Sequence, residues 1–248
     1  MATFVLIHGA SANSHYWSRV EPRLRSAGHE VIAPDLPAAN AAAGFDTYAQ
    51  TVIDAIGDRS GLVIVGQSMG AFTAPIVASK VSASLVVLVA PMIPAPGETP
   101  GQWGANVGLA EAQRRNAAAA GFDPRFDLMT TFLHDVPEDV VAELLAAGEP
   151  PQADTIFSQP FPLNAWPAVA TRVLACTRDR MFPSTSCDGS PGNDSASRPT
   201  RSSAATSPDS AARRNSPANC SSTSRPGRLR CSRVVRTYLR GTTRGDWD

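Results

Sequence analysis

The pentapeptide GQSMG, residues 66–70, places a serine between two glycines in the pattern G-x-S-x-G. An apolar run precedes it and a helix-favouring run follows it. A sharp strand-to-helix turn strains its central residue, and Gly66 and Gly70 leave room for the close approach that such a turn requires. The turn would present the Ser68 hydroxyl at a helix N-terminus, where backbone N–H groups favour developing negative charge. The pattern therefore predicts a nucleophile at Ser68, and a serine in an ordinary glycine-rich turn is the alternative.

A second group with chemical potential is HGA, residues 8–10, at the end of the first apolar run. The tetrahedral intermediate of acyl transfer carries a negatively charged oxygen, which needs two converging N–H donors. The amide of Met69 supplies one donor, and we assign the other to Ala10 in a turn after a neighbouring strand. We interpret His8 as a structural histidine that is hydrogen-bonded beneath this turn, and His15 as a surface or pocket-rim residue.

Alternating strands and helices must hold these residues in place. Short, continuously apolar runs predict strands at residues 3–9, 30–36, 61–66, 84–91 and 171–176, and helical spacing predicts helices at 15–27, about 48–56 and 69–80. This order predicts an α/β fold with a doubly wound, mostly parallel sheet that is covered on both faces. Residues 92–168 are rich in Pro, Gly and aromatic residues, with helical patches at 109–120 and 137–147. We interpret them as a helical lid inserted between two strands.

These segments resemble the α/β-hydrolase superfamily, above all its small esterase and hydroxynitrile-lyase-like members. The resemblance rests on FVLIHGA, GHEVIAPDLP and VIVGQSMG, and on FLHDVP and FPLNAWP in the lid, and it covers roughly residues 3–183. It implies an eight-stranded sheet and a Ser–acid–His triad in that chain order. The acid of the family follows the penultimate strand. Its position matches TRDRMFP and hence Asp179, whereas Asp135 in the lid is a poorer candidate.

The resemblance also implies a catalytic histidine after the acid, and this chain has none there. Its four histidines are His8, His15, His29 and His134, all before Asp179. Without a base, a serine hydroxyl is a weak nucleophile at neutral pH, and loss of one triad member leaves only the oxyanion hole and substrate binding. Two hypotheses follow: a serine hydrolase of small apolar esters, or a catalytically impaired relative that at most binds a small ligand. Lyase chemistry on the same residues stays open.

Residues 184–248 have a different composition, with 14 Ser and 11 Arg and with no Glu, Lys, Phe, Ile or Met. Taken at face value, this composition predicts a disordered, low-complexity tail. Another reading frame joins the third base of each codon to the first two bases of the next. In that frame residues 184–202 can encode an amphipathic helix, and residues 204–206 can encode Gly-Gly-His. We therefore hypothesise a frameshift just after Pro183, which leaves a hydrolase domain at 1–183 without its last strand, helix and histidine.

Composition narrows the remaining classes of function. The formal net charge is zero, and the scattered arginines of the tail do not form a nucleic-acid-binding arm, so we expect a small-molecule substrate and no nucleic-acid partner. No apolar run is long enough to span a bilayer, and the start lacks the features of a secretory signal, so we expect no membrane association and a cytoplasmic location. No motif indicates a metal, nucleotide or organic cofactor. A homodimer stays open.

Overall fold

The computed structural model describes residues 1–183, which build a parallel sheet of five strands in the order β2-β1-β3-β4-β5. Continuous apolar runs suit a sheet with both faces covered, and every residue of β1 and β3 is buried. The predicted parallel α/β architecture is confirmed. The strands are β1 (Thr3–Ile7), β2 (Glu30–Ile32), β3 (Leu62–Gln67), β4 (Ala83–Val89) and β5 (Thr171–Leu174).

Helices connect the strands and cover the sheet. The ones that follow β1, β2 and β3 are α1 (Glu21–Ser26), α2 (Phe45–Ile56) and α3 (Gly70–Lys80). Between β4 and β5 lies the predicted helical insertion, which contains α4 (Pro100–Asn106), α5 (Leu109–Ala120), a π-helical turn (Leu128–Phe132), α6 (Glu138–Ala147) and a 3-10 turn (Asp154–Ser158). We call the chain between β4 and β5 the insertion. The predicted helix at 109–120 is found with those bounds.

Two predicted elements differ most from expectation. The helix predicted at 15–27 is a 3-10 turn (Ser14–Trp17) followed by α1, which has a proline in its first turn. The strand predicted at 30–36 ends at Ile32. The chain after Ile32 hydrogen-bonds to the loop that follows β1 instead of to the sheet: the amide of Leu36 donates to His8, and Asp35 accepts from the amide of Ser14.

The core lies between the sheet and helices α2 and α3. Nine consecutive residues of α3, from Gly70 to Ala78, are buried, so this helix is enclosed on all sides. The rings of Phe45 and Phe72 stack with centroids 5.0 Å apart and join α2 to α3. From the insertion, Phe161 packs edge-on against Phe72 at 6.0 Å. The segment that carries the predicted nucleophile is therefore held rigidly between the sheet and the insertion.

Within residues 1–183, no helix is long and apolar enough to cross a membrane. The predicted tail at 184–248 and the frameshift hypothesis lie outside the described residues.

Candidate active site

The predicted nucleophile turn at residues 66–70 and the predicted oxyanion turn at residues 8–10 meet where the strand order reverses. The chain passes from β1 to β2 on one side and then to β3 on the other side of β1. Ala10 follows β1 and Ser68 follows β3, so both lie at the carboxyl edge of adjacent parallel strands. Open α/β sheets bind their ligands at this kind of switch point. The topology therefore places both groups where a substrate site is expected.

Ser68 occupies a sharp turn between β3 and α3 and has a φ of +50°. A residue with a side chain pays about 1 kcal/mol or more in this left-handed region, so the surrounding structure must hold it there. Its amide donates to the carbonyl of Val89 at the end of β4, at 3.0 Å. Its carbonyl accepts from the amides of Ala71 and Met92, both at 3.1 Å. The backbone is thus fixed from three directions, and the side chain is left half-buried at the surface of the site.

This strain predicts a gain in stability when Ser68 is replaced by glycine. Ser68→Gly removes the penalty for the positive φ, and we expect the free energy of unfolding to rise by about 0.5–1 kcal/mol. Ser79→Gly is the matched control, because Ser79 is exposed near the end of α3 and glycine costs stability in a helix. Thermal melts of both variants check the prediction. A loss of stability in Ser68→Gly as large as that in Ser79→Gly would contradict it.

The flanking glycines allow backbone contacts that a side chain would block. A Cβ atom at Gly66 would lie 2.7 Å from the carbonyl oxygen of Gly70. A Cβ atom at Gly70 would lie 2.8 Å from the carbonyl oxygen of Ile7 and 2.9 Å from that of His8. All three distances are shorter than real Cβ contacts, and the two at Gly70 show that α3 starts in direct contact with the end of β1. The glycines therefore bring the turn after β3 against the turn after β1.

The two amides assigned to the oxyanion hole have no acceptor in the part of the chain that the structure describes. Neither the N–H of Ala10 nor that of Met69 donates a hydrogen bond to residues 1–183. Met69 directly precedes α3, so its amide lies at the positive end of a helix of 11 residues. Backbone donors without protein acceptors at a switch point are suited to bind an anionic oxygen.

His8 has the structural role that the sequence predicts. It is buried, its Nδ1 donates to the carbonyl of Gly9 at 2.8 Å, and its Nε2 accepts from the amide of Leu36 at 3.2 Å. These bonds require the neutral ring, and burial accordingly lowers the pKa of His8. His15 is exposed in the 3-10 turn after β1, as predicted for a surface residue.

Asp179 lies in the loop after β5 with its carboxylate turned into the protein. Its Oδ1 accepts from the amides of Met181 at 2.9 Å and Phe182 at 2.8 Å. Burial raises the pKa of Asp179 above its usual range, although these two N–H groups and the nearby His134 act in the opposite direction. No cation forms an ion pair with Asp179 within residues 1–183. A half-buried carboxylate without a cationic partner is suited to receive an imidazolium.

This environment gives the stability of the protein a defined pH dependence. Because the pKa of Asp179 is raised in the folded state, its contribution to stability is complete below the ordinary aspartate pKa and is lost as pH rises through the folded-state pKa. Asp179→Asn keeps a carbonyl acceptor for both amides and removes the charge. We therefore expect a higher Tm than that of the parent at pH 7, and a difference that narrows toward pH 4. Asp58→Asn, at an exposed position, should change Tm little at either pH. A lower Tm for Asp179→Asn at pH 7 would show that the carboxylate has a cationic partner.

His134 and Asp135 of the insertion lie near Asp179 but pair with other groups. The Nδ1 of His134 is 3.3 Å from the carbonyl of Thr131, and its Nε2 is 3.8 Å from Asp135 Oδ1. Asp135 also forms an ion pair with Arg178 at 3.0 Å. Within residues 1–183, His134 forms no hydrogen bond with Ser68. The insertion thus comes close to the predicted acid Asp179, but within residues 1–183 it supplies no base at the predicted nucleophile Ser68.

Sequence reasoning missed three residues beside the site. Gly9 touches the turn after β3, since a Cβ atom there would lie 2.9 Å from Ser68 Cβ and 2.6 Å from Gln67 Oε1. Gln67 and Gln152 each accept a hydrogen bond from the turn after β1. The position of Gln67 next to the serine was a usable signal. Nothing local marks Gln152, which lies 141 residues from its partner Ser11.

Metal-binding geometry is not found among the described residues: no group of three or more His, Cys, Asp or Glu side chains could hold an ion.

Curated relatives match part of the chain. A probable esterase of Oryza sativa subsp. indica is 30% identical in an alignment of 109 residues that covers 38% of this chain and 41% of the relative. Norfluorocurarine synthase 1 of Strychnos nux-vomica is 30% identical over 107 residues, 37% of this chain and 39% of the relative. The match thus spans about two-fifths of the length of these relatives.

Solved structures of low sequence identity share the fold. An extracellular alpha/beta-hydrolase from a Paenibacillus species has a TM-score of 0.58 at 21% identity, and covers 74% of this chain and 81% of its own. A methylesterase from Arabidopsis has a TM-score of 0.57 at 18% identity, with 76% and 82% covered. Polyneuridine aldehyde esterase has a TM-score of 0.55 at 18% identity, with 74% and 83% covered.

A family model described as the alpha/beta hydrolase family matches residues 4–212, which is most of the chain. The matched range continues beyond Pro183, where the resemblance seen in the sequence ends. The chain therefore belongs to the α/β hydrolase family.

Proposed function

We propose that the chain has the site of a serine hydrolase that acts on carboxylic esters with a small apolar acid or alcohol part. The observation that carries the proposal is the strained backbone of Ser68, with φ of +50° at the switch point of a parallel sheet. Strain of this kind persists only where the surrounding structure imposes it, and it is concentrated at functional sites. The names of the relatives, a probable esterase and two esterases among the structures, support this substrate class.

In the proposed reaction, Ser68 Oγ attacks the carbonyl carbon of the ester and gives up its proton to a base. The carbonyl electron pair moves onto oxygen, and the N–H groups of Ala10 and Met69 stabilise the resulting oxyanion. Collapse of this intermediate breaks the bond to the alcohol, which leaves with the proton from the base, and the acyl group remains on Ser68. Water, deprotonated by the same base, then releases the acid. Asp179 would orient and stabilise a histidine in the role of the base.

Apolar groups beside Asp179 support an apolar substrate. Phe182, three residues after the proposed acid, packs edge-on against Trp103 of α4 with ring centroids 5.3 Å apart. The carbonyl of Met181 accepts a hydrogen bond from Gln113 of α5 at 2.9 Å. The acid loop is therefore fastened to an aromatic part of the insertion, where an apolar acyl or alcohol group could be desolvated.

A catalytically impaired hydrolase is the second candidate, and the sequence itself favours it for this chain. No histidine follows Asp179, and His134 pairs with Asp135 within the insertion. An enzyme without its base retains the rate that its oxyanion hole and substrate binding supply, about 10³–10⁴-fold above water. Both candidates use the same nucleophile and differ in rate.

Reaction with a fluorophosphonate probe and hydrolysis of p-nitrophenyl acetate test the proposal. Without a base we expect slow hydrolysis at the rate that the oxyanion hole and substrate binding supply, which Ser68→Ala leaves nearly unchanged. We expect slow labelling at Ser68 that Ser68→Ala abolishes, and fast labelling at Ser68 would instead show that the chain has an unrecognised base. Labelling that survives Ser68→Ala would disprove the proposed nucleophile.

A further inference from the structure

Two glutamine side chains hold the turn after β1 from opposite sides. Gln67, the last residue of β3, is buried and accepts a hydrogen bond from the amide of Gly9 at 3.1 Å. The bond is possible because Gly9 has no side chain, since a Cβ atom there would lie 2.6 Å from Gln67 Oε1. The residue just before the proposed nucleophile is thus attached to the residue just before the proposed oxyanion donor.

Gln152 holds the other side of the same turn from the insertion. Its Oε1 accepts from the amide of Ser11 at 3.3 Å, and Ser11 has a φ of +49°. Its Nε2 lies 3.3 Å from the carbonyl of Ala38 and 3.2 Å from that of Ala153. Two carbonyl oxygens near one end of the amide require the NH2 group there, which fixes the carbonyl end toward Ser11. The amide orientation is therefore determined by its surroundings, and the bond to Ser11 follows from it.

The amide between these two anchored positions belongs to Ala10, and it has no acceptor within residues 1–183. We infer that Gln67 and Gln152 are positioning residues that bind the N–H groups of Gly9 and Ser11 and so aim the N–H of Ala10 at the oxyanion. The inference rests on the proposed function, in which Ala10 is a donor. It adds that the insertion contributes to transition-state stabilisation through Gln152, without itself touching the reacting atoms. A donor acts on the transition state only if it is held in place before the reaction.

The residual hydrolysis of p-nitrophenyl acetate by the full chain, which the oxyanion hole supports, tests this inference. Gln152→Met removes the acceptor at nearly constant volume. We expect kcat to fall about 10-fold with KM unchanged, because a misplaced oxyanion donor weakens binding of the transition state and not of the ester. Gln67→Met removes the other acceptor from a different element and should have the same effect. Amide hydrogen exchange should show faster exchange of Ser11 in Gln152→Met and of Gly9 in Gln67→Met.

Gln50→Met is the matched control, since Gln50 lies exposed on α2 and its side chain donates to Asp54 of the same helix. It should leave kcat and KM at the parental values. If the fluorophosphonate probe labels Ser68 while both glutamine variants keep the parental kcat or raise KM alone, the inference is overturned and the proposed function stands. If labelling survives Ser68→Ala, the proposed function fails and the inference fails with it.

Discussion

A chain whose residues after Pro183 are translated from the alternative reading frame is expected to hydrolyse p-nitrophenyl acetate about 10⁴–10⁶ times faster than the present chain. Loss of the base from a serine triad costs a factor of this size. The alternative frame can place a histidine across codons 205 and 206, after the proposed acid, as the family order requires. The described residues already hold a strained serine, two amides without an acceptor among them, and a half-buried carboxylate without a cation.

The restored histidine should also change the behaviour of Asp179. A neighbouring imidazolium favours the ionised carboxylate, so the pKa of Asp179 should fall from its raised position. Asp179→Asn should then impair catalysis in the restored chain, although it stabilises the present one. We would measure the hydrolysis rate and the Tm of the present and the restored chain, each with Asp179 and with Asp179→Asn. These measurements separate the catalytic role of the carboxylate from its cost to stability.

The control is the same restored chain with that histidine codon changed to alanine. It should regain any stability that the new segment provides, but its rate of hydrolysis should stay as low as that of the present chain. Gain of stability is expected because β5 pairs only with β4 in the described part of the chain and its Val173 is 47% exposed. Equal rates in the restored chain and its alanine control would disprove the assigned histidine. An intact reading frame in close relatives that ends in the same Ser- and Arg-rich tail would refute the frameshift.

The sequence was most informative where local pattern and local geometry coincide. Continuous apolar runs predicted the strands, and glycines on both sides of Ser68 predicted the turn between β3 and α3. The end of β2 was less predictable, since Asp35 and Leu36 hydrogen-bond to residues of the loop after β1. Such bonds depend on how two segments meet in space, which no window of sequence contains.

The residues that hold the candidate site residues in place were the hardest to predict from the sequence. Gln152 is one polar residue in a segment rich in proline and alanine, and its role depends on where the insertion docks. The ion pair between Asp135 and Arg178 likewise depends on where the insertion docks. Sequence therefore predicts which residues react, whereas the structure identifies residues that hydrogen-bond to the segments on which they lie.

Gly70→Ala is expected to lower the free energy of unfolding by about 2–3 kcal/mol. In most helices this substitution stabilises, by about 1 kcal/mol. Here the added methyl group would meet the carbonyl oxygens of Ile7 at 2.8 Å and His8 at 2.9 Å. Ile7 ends β1, which has a strand on either side, and His8 is the residue that follows it. Backbone atoms of a buried strand cannot rotate away, so α3 or the turn after β1 must shift, and overpacking of this kind costs 1–3 kcal/mol or more.

Gly104→Ala is the matched control. Gly104 lies in α4, where a Cβ atom would meet only Leu109, at 3.6 Å, which is an ordinary contact. That variant should melt at or above the parental Tm, so the two substitutions should shift Tm in opposite directions. A Tm for Gly70→Ala at or above that of the parent would contradict the close contact between α3 and β1. Since the same contact brings the turn after β3 against the turn after β1, the expected shift in Gly70→Ala should also reduce the hydrolysis of p-nitrophenyl acetate, whereas Gly104→Ala should leave it unchanged.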